Sequence, residues 1–175
     1  MGRRLQADRP RRGRGCCLGF VLLVIMAICI GVVAMLVTAL VGEPNEIRTQ
    51  VQVSQHNITS GDTFTIEITI ENVDLEGVTI TSIGMEDSLL DGLVIVSMEP
   101  SYRSVKGRDY PLLGSWNEYT LDQNLFGGDT LTVTLNVQAV QRGSYSGDVT
   151  VWVEGTLLGV PFERARRDTL EFTVL

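Results

Sequence analysis

The chain has 175 residues, and its net charge of −7 hides two opposite parts: six arginines against Asp8 in residues 1–14, a net +5, and eight Lys/Arg against twenty Asp/Glu after Gly42, a net −12. That length suits about one domain. The acidic balance argues against nucleic acid as a partner, which would want a basic face, and a single histidine argues against a zinc site.

Residues 1–15 read as a disordered tail, with Arg3, Arg4, Arg9, Arg11, Arg12 and Arg14 among Pro10 and glycines and no apolar periodicity. From Gly15 to Gly42 there is no charge. A helix over Cys16–Val41, 26 residues at about 1.5 Å each, exceeds a hydrocarbon core of roughly 30 Å and spans it with tilt. Val37-Thr38-Ala39 would pass as a cleavage site, but the apolar run is too long for a signal peptide, whose core is roughly 7–15 residues. The expectation is one transmembrane helix over 16–42. The six arginines set its direction, with the N-terminus in the cytoplasm and residues 43–175 outside the plasma membrane. They would also hold anionic headgroups, at about 1 kcal/mol each near the surface, so membrane lipid is an expected partner. Gly15 with Gly19 and Ala27 with Gly31 are small-xxx-small spacings that hint at weak self-association of the span. Cys16 and Cys17 stand where a eukaryote would palmitoylate; two small helical residues is the simpler reading.

Residues 43–47 read as a short polar linker and 48–175 as the outer domain. That domain has no cysteine, hence no disulfide, which tilts towards a prokaryotic surface. Its dominant period is two, the strand period. Phe64, Ile66, Ile68 and Ile70 alternate with Thr65, Glu67, Thr69 and Glu71; Leu131, Val133, Leu135, Val137 and Ala139 do the same later. Val149, Val151, Val153 and then Leu170, Phe172, Val174 mark two more strands. Weaker candidates are 47–53, 78–85, 93–98 and 116–121. Glycine–aspartate turns separate them: Ser60-Gly61-Asp62, Gly127-Gly128-Asp129, Gly143-Ser144 and Ser146-Gly147-Asp148. The fold class expected is all-β, an antiparallel sandwich of about 7–8 strands behind one transmembrane helix.

Gly61-Asp62-Thr63-Phe64, the alternating run to Glu71-Asn72, and the later Gly128-Asp129-Thr130-Leu131 with Gly143-Ser144-Tyr145 resemble bacterial cell-surface Ig-like domains of the CARDB or DUF11 type, cousins of fibronectin type III domains. The resemblance covers roughly residues 48–175. It implies an Ig-like, fibronectin-III-like Greek-key sandwich used as an adhesive, spacer or accessory module, and it implies no catalytic residue.

Chemistry is sparse. His56 stands before a turn with no nucleophile-elbow pattern beside it, and reads as a surface loop residue rather than a triad member. Glu86, Asp87 and Asp91 are close enough to suggest calcium, without a known calcium spacing; a solvated acidic loop is the plainer reading. Asn57-Ile58-Thr59 is a glycosylation sequon. No metal, cofactor or enzyme activity is expected. The segment 102–119 reads as a long loop with a functional composition: Tyr102, Tyr110, Trp116 and Tyr119 beside Arg103, Lys106 and Arg108, residue types enriched at binding hot spots. The plainer reading puts Trp116 and Tyr119 in a strand, with the tyrosines covering the core. Arg164, Arg166 and Arg167 read as charges that blunt an edge strand. The function expected is a noncatalytic, membrane-anchored module that binds a protein or cell-envelope component, as an accessory subunit of a surface complex. The alternatives are a carbohydrate-binding module and a calcium-stabilised spacer.

Overall fold

The computed structural model describes residues 15–55, 57–110, 114–157 and 160–175. It forms two units, Met1–Val41 and Gly42–Leu175. The six N-terminal arginines and His56 lie outside the described residues, as do the side chains of Cys16, Cys17 and Tyr110.

The first unit holds one helix, α1 (Gly15–Val41). Its described side chains, residues 20–34, are apolar or glycine and exposed on every face; Phe20 is 70% exposed and Leu23 63%. Among the described residues no helix is long and apolar enough to cross a membrane, the described side chains of α1 being those fifteen.

The second unit is a β-sandwich. One sheet joins β1 (Ile47–Val53), β2 (Thr63–Asn72), β4 (Leu93–Glu99) and β7 (Thr130–Ala139) in the order β1-β2-β7-β4. The other joins β3 (Val78–Glu86), β5 (Ser104–Tyr110), β6 (Gly114–Leu125), β8 (Gly143–Leu157) and β9 (Val160–Val174) in the order β5-β6-β3-β8-β9. All strand pairs are antiparallel. A single turn of helix, α2 (Asp87–Leu90), follows β3 and buries Leu89.

The period-two pattern is the cause of this architecture. Phe64, Ile66, Ile68 and Ile70 of β2 face one core with Val133, Leu135 and Val137 of β7. Val149, Val151 and Val153 of β8 close it from the other sheet, with Ile83 and Met85 of β3. β2 and β7 each hide one face and wet the other. The two matching Gly-Asp-Thr entries use their glycines as expected, Gly61 at φ +99° and Gly128 at φ +81°. At the first, Asp62 accepts hydrogen bonds from the Thr59 hydroxyl and from the Thr59 N–H at 2.8 Å. Those bonds, the hydroxyl's first, hold its carboxyl below the ordinary value.

Among the described residues nine strands form, against seven or eight read from the sequence. The extra one is β5, which corrects the reading of 102–119 as a long loop: it is mostly a hairpin, with Ser104 opposite Thr120 and Arg108 opposite Trp116. β5 is an edge strand, Ser-Val-Lys-Gly-Arg-Asp-Tyr, and carries no inward apolar alternation because there is little core beneath an edge.

β9 is the edge at the far side of the same sheet. Its inward residues change character along its length. Leu170, Phe172 and Val174 are in the core, whereas Arg164, Arg166 and Asp168 occupy the same face earlier in the strand. Those three meet the start of the domain: Arg164 pairs with Glu46, Arg166 with Glu43 at 3.4 Å, and Asp168 accepts from the Thr49 hydroxyl. Pro44 is buried. The segment read as a linker, 43–47, is thus fastened along β9. Inward charges of this kind also keep a strand edge from pairing with another chain.

Candidate functional site

The hairpin separates the residues singled out in the sequence, the Tyr110 side chain lying outside the described residues. Tyr119 points inward and belongs to the core. Tyr102 leans on it edge-on, with ring centroids 5.3 Å apart. Burial, Tyr102 and Asp87 together raise the Tyr119 pKa above its ordinary value. Arg103 is held by Asp122 at 3.0 Å. Lys106, Arg108 and Trp116 take the opposite, outward face, since strand residues two apart share a face and Arg108 stands opposite Trp116. A single surface made of all seven does not form, because strand alternation separates Tyr119 from Trp116.

On the outward face a small site does form. Trp116 of β6 and Trp152 of β8 stand on either side of Gly84 in β3. A Cβ on Gly84 would lie 3.8 Å from Trp116 Cδ1 and 3.6 Å from Trp152 Nε1. The missing side chain therefore leaves a recess of about 50 Å³ with an indole on each side. Its inner surface is mostly carbon, with Thr150 at the base. These are the chain's two tryptophans.

The rim is charged. Arg108 Nε donates to Glu118 Oε2 at 2.6 Å, and Ser82 Oγ donates to the other Glu118 oxygen at 2.8 Å. On the far side the Arg167 guanidinium lies 5.9 Å from the centre of the Trp116 ring, a cation–π distance. Arg167 makes no ion pair among the described residues. The neighbours Arg164 and Arg166 turn inward to Glu46 and Glu43, so Arg167 alone of that cluster faces out beside the recess.

The acidic group weighed for calcium is spread out. Glu86 accepts from the Asp148 N–H at 2.9 Å, and Asp87, in α2, accepts from Asn117 Nδ2 at 2.9 Å. Among the described residues no cluster of three or more His, Cys, Asp or Glu could hold a metal ion.

Of the recess, Trp116 and Arg108 were singled out from sequence, while Gly84, Trp152 and the role of Arg167 were missed. A signal was there. Val149, Val151 and Val153 face the core, so Trp152 between them must face out, where a large aromatic is unusual for a merely solvated strand face.

Fold and recess together define a β-sandwich domain with an aromatic slot on the outward face of its larger sheet. No protein-family model matches the chain, and no curated protein matches it in sequence. Among solved structures it is similar to AvmM, which catalyses macrocyclization in alchivemycin A biosynthesis, at 10% identity and a TM-score of 0.48, over 75% of this chain and 89% of that one. It is also similar to a cohesin module of a Clostridium perfringens family 33 glycoside hydrolase, at 12% identity and 0.42, over 75% and 98% of the two chains. A third is the cupredoxin domain of amoB from Nitrosocaldus yellowstonii, at 9% identity and 0.42, over 75% and 88%.

Proposed function

We propose that the protein is a noncatalytic binding module, anchored by α1 in the plasma membrane with its Ig-like sandwich outside, and that it binds a protein or cell-envelope component through the slot between Trp116 and Trp152. The observation that carries the binding reading is that both tryptophans stand on an outward sheet face around a mid-strand glycine. Neither tryptophan belongs to the core between the sheets, and tryptophan and arginine are the types that dominate binding energy at interfaces.

The anchor rests on α1. A helix that is apolar all round belongs inside protein or inside lipid. The described part of α1 is exposed on every side within its own chain, which leaves lipid or other helices to cover it. The whole helix has 27 residues, and at about 1.5 Å per residue that is enough for a core of roughly 30 Å. The six arginines before it support a cytoplasmic N-terminus.

A sugar platform, the alternative reading, would present its aromatic rings flat and open. Trp116 is only 8% exposed and Arg167 lies over its ring, so it presents no open platform. A protein ligand fits that geometry better.

The test is photo-crosslinking in intact cells from a benzophenone side chain at Lys106, two residues from Arg108 on the same face. The reading expects one dominant adduct that disappears in Trp152→Ala, with that variant still unfolding cooperatively. An adduct that persists in Trp152→Ala would remove the slot from consideration. Labelling by a membrane-impermeant thiol reagent of a cysteine placed at Ser60 tests the topology; protection in intact cells would reverse it.

A further inference from the structure

The chemistry of the slot specifies what it accepts, given that the slot is the binding site proposed above. Gly84 sits in β3, the central strand of the larger sheet. Glycine is a poor residue there, because it packs nothing and loses more backbone freedom on folding than any other. The backbone does not call for it: Gly84 is not among the positive-φ glycines. A Cβ would meet Thr150 Cβ and Trp152 Nε1 at 3.6 Å and Trp116 Cδ1 at 3.8 Å, ordinary contacts. Alanine would therefore fit the fold. What glycine provides is the recess itself, and a glycine inside a strand often marks close approach of a ligand or another backbone.

The size and lining of the recess narrow the ligand. About 50 Å³ suits a prolyl ring or a short aliphatic side chain and is small for a pyranose ring. Glu118, the carboxylate at its edge, is already engaged, holding Arg108 and Ser82. Sugar hydroxyls would want open donors and acceptors; an aliphatic side chain wants none. The one cation on the rim with no ion pair among the described residues is Arg167. It stands out in a domain whose net charge is −12.

We infer that the slot docks an extended acidic polypeptide, which inserts a proline, leucine or valine side chain between the two indoles and sets a neighbouring carboxylate against Arg167. Aromatic grooves that take preformed proline-containing segments work on the same physics, a rigid apolar wedge set among aromatic side chains. Here the cation on the rim selects acid beside the wedge.

Because the slot holds both tryptophans of the chain, intrinsic fluorescence reports on it alone. The experiment uses the full chain in nanodiscs of neutral phospholipid. It is probed with an array of immobilised decapeptides varied in charge and central residue, then titrated in solution with the best peptide and separately with trigalacturonate, while tryptophan emission is followed. Binding of peptides with Pro, Leu or Val next to Asp or Glu is expected, with a saturable emission change. Gly84→Ala should weaken that binding at least tenfold at an unchanged or higher melting temperature, and Gly84→Val should abolish it. Arg167→Glu should shift the preference to lysine-flanked peptides. A preference for basic or uncharged peptides, or full binding by Gly84→Ala, overturns the proposal. A response to trigalacturonate with silent peptides overturns the polypeptide ligand and leaves the slot as a site. Silence to both probes, together with a crosslink that persists in Trp152→Ala, overturns the site as well.

Discussion

Asn72 joins the two sheets where β2 gives way to β3, and its removal should be among the costlier single changes in the domain. The side chain is fully buried. Its Nδ2 donates to the Glu76 carbonyl at 2.7 Å and to the Leu125 carbonyl at 3.0 Å, and its Oδ1 accepts from the Asp74 N–H at 3.0 Å. Leu125 ends β6, in the opposite sheet. Asn72→Ala removes all three bonds. Asp74 and Glu76 are exposed residues, so water can replace the amide there, at about 0.5–1 kcal/mol for each bond. Leu125 is buried, and a buried acceptor that loses its donor costs about 1–3 kcal/mol. The sum is about 2–5 kcal/mol. Asn72→Asp should cost more, because it keeps the Asp74 contact but aims a carboxylate oxygen at two carbonyls in a buried setting. Urea denaturation of the full chain in detergent, followed by tryptophan emission, measures both; the midpoint should fall at unchanged slope. A loss under about 0.5 kcal/mol for alanine, or an aspartate variant no worse than alanine, would show that this network is not the link described.

Three further outcomes follow from the same geometry. Arg164→Ala strands Glu46, whose side chain is 17% exposed, and should cost about 2 kcal/mol, while Arg166→Ala, whose partner Glu43 is 60% exposed, should cost under about 1 kcal/mol; equal losses in urea midpoints would refute the asymmetry. Gly92→Ala should destabilise by about 1–3 kcal/mol, since a Cβ there would sit 2.4 Å from the Tyr145 ring, which is itself stacked on Phe172; a melting temperature like that of the wild type would count against that packing. Tyr119 has its pKa raised, by burial first and then by Tyr102 and Asp87, so it favours the folded state below 10.0 and that contribution fades as pH rises through the folded value. Absorbance titration should show one tyrosine ionising after the others, a lag that Tyr119→Phe removes; its survival in that variant would reassign it.

The legible part of this fold is the part where burial is one-sided. β2 and β7 pack one face on the core and wet the other, so their residues alternate, and both strands were readable with their glycine turns. β5 has nearly no core beneath it, and it pairs with β6 through backbone groups that any sequence possesses. A hairpin of Ser-Val-Lys-Gly-Arg-Asp-Tyr with β6 therefore looked like a loop. The same physics explains β9. Its inward face is apolar from Leu170 onward, and that half was readable; the earlier half faces Glu43 and Glu46, so its inward residues are Arg164 and Arg166, and one continuous strand of 15 residues read as a short strand behind a basic cluster.

The slot was half legible for a reason that lies in topology. Arg108 and Trp116 are eight residues apart and meet through one hairpin, so a local cluster could be noticed. Gly84, Trp152 and Arg167 come from three other strands, and only the order β6-β3-β8-β9 brings them beside Trp116. The residues that composition grouped as neighbours along the chain part company once alternation acts: Tyr119 goes to the core, Arg103 to Asp122, and Trp116 to the outside. The outward tryptophan is the better guide. In β8 the valines on either side of Trp152 face inward, so its outward place follows from the sequence without any structure. An indole placed there lies outside the core between the two sheets. The same logic then applies to Gly84, which stabilises neither strand nor core and leaves a gap beside that indole. A glycine that gives up stability beside two indoles outside the core makes binding a better account of the spot than folding does.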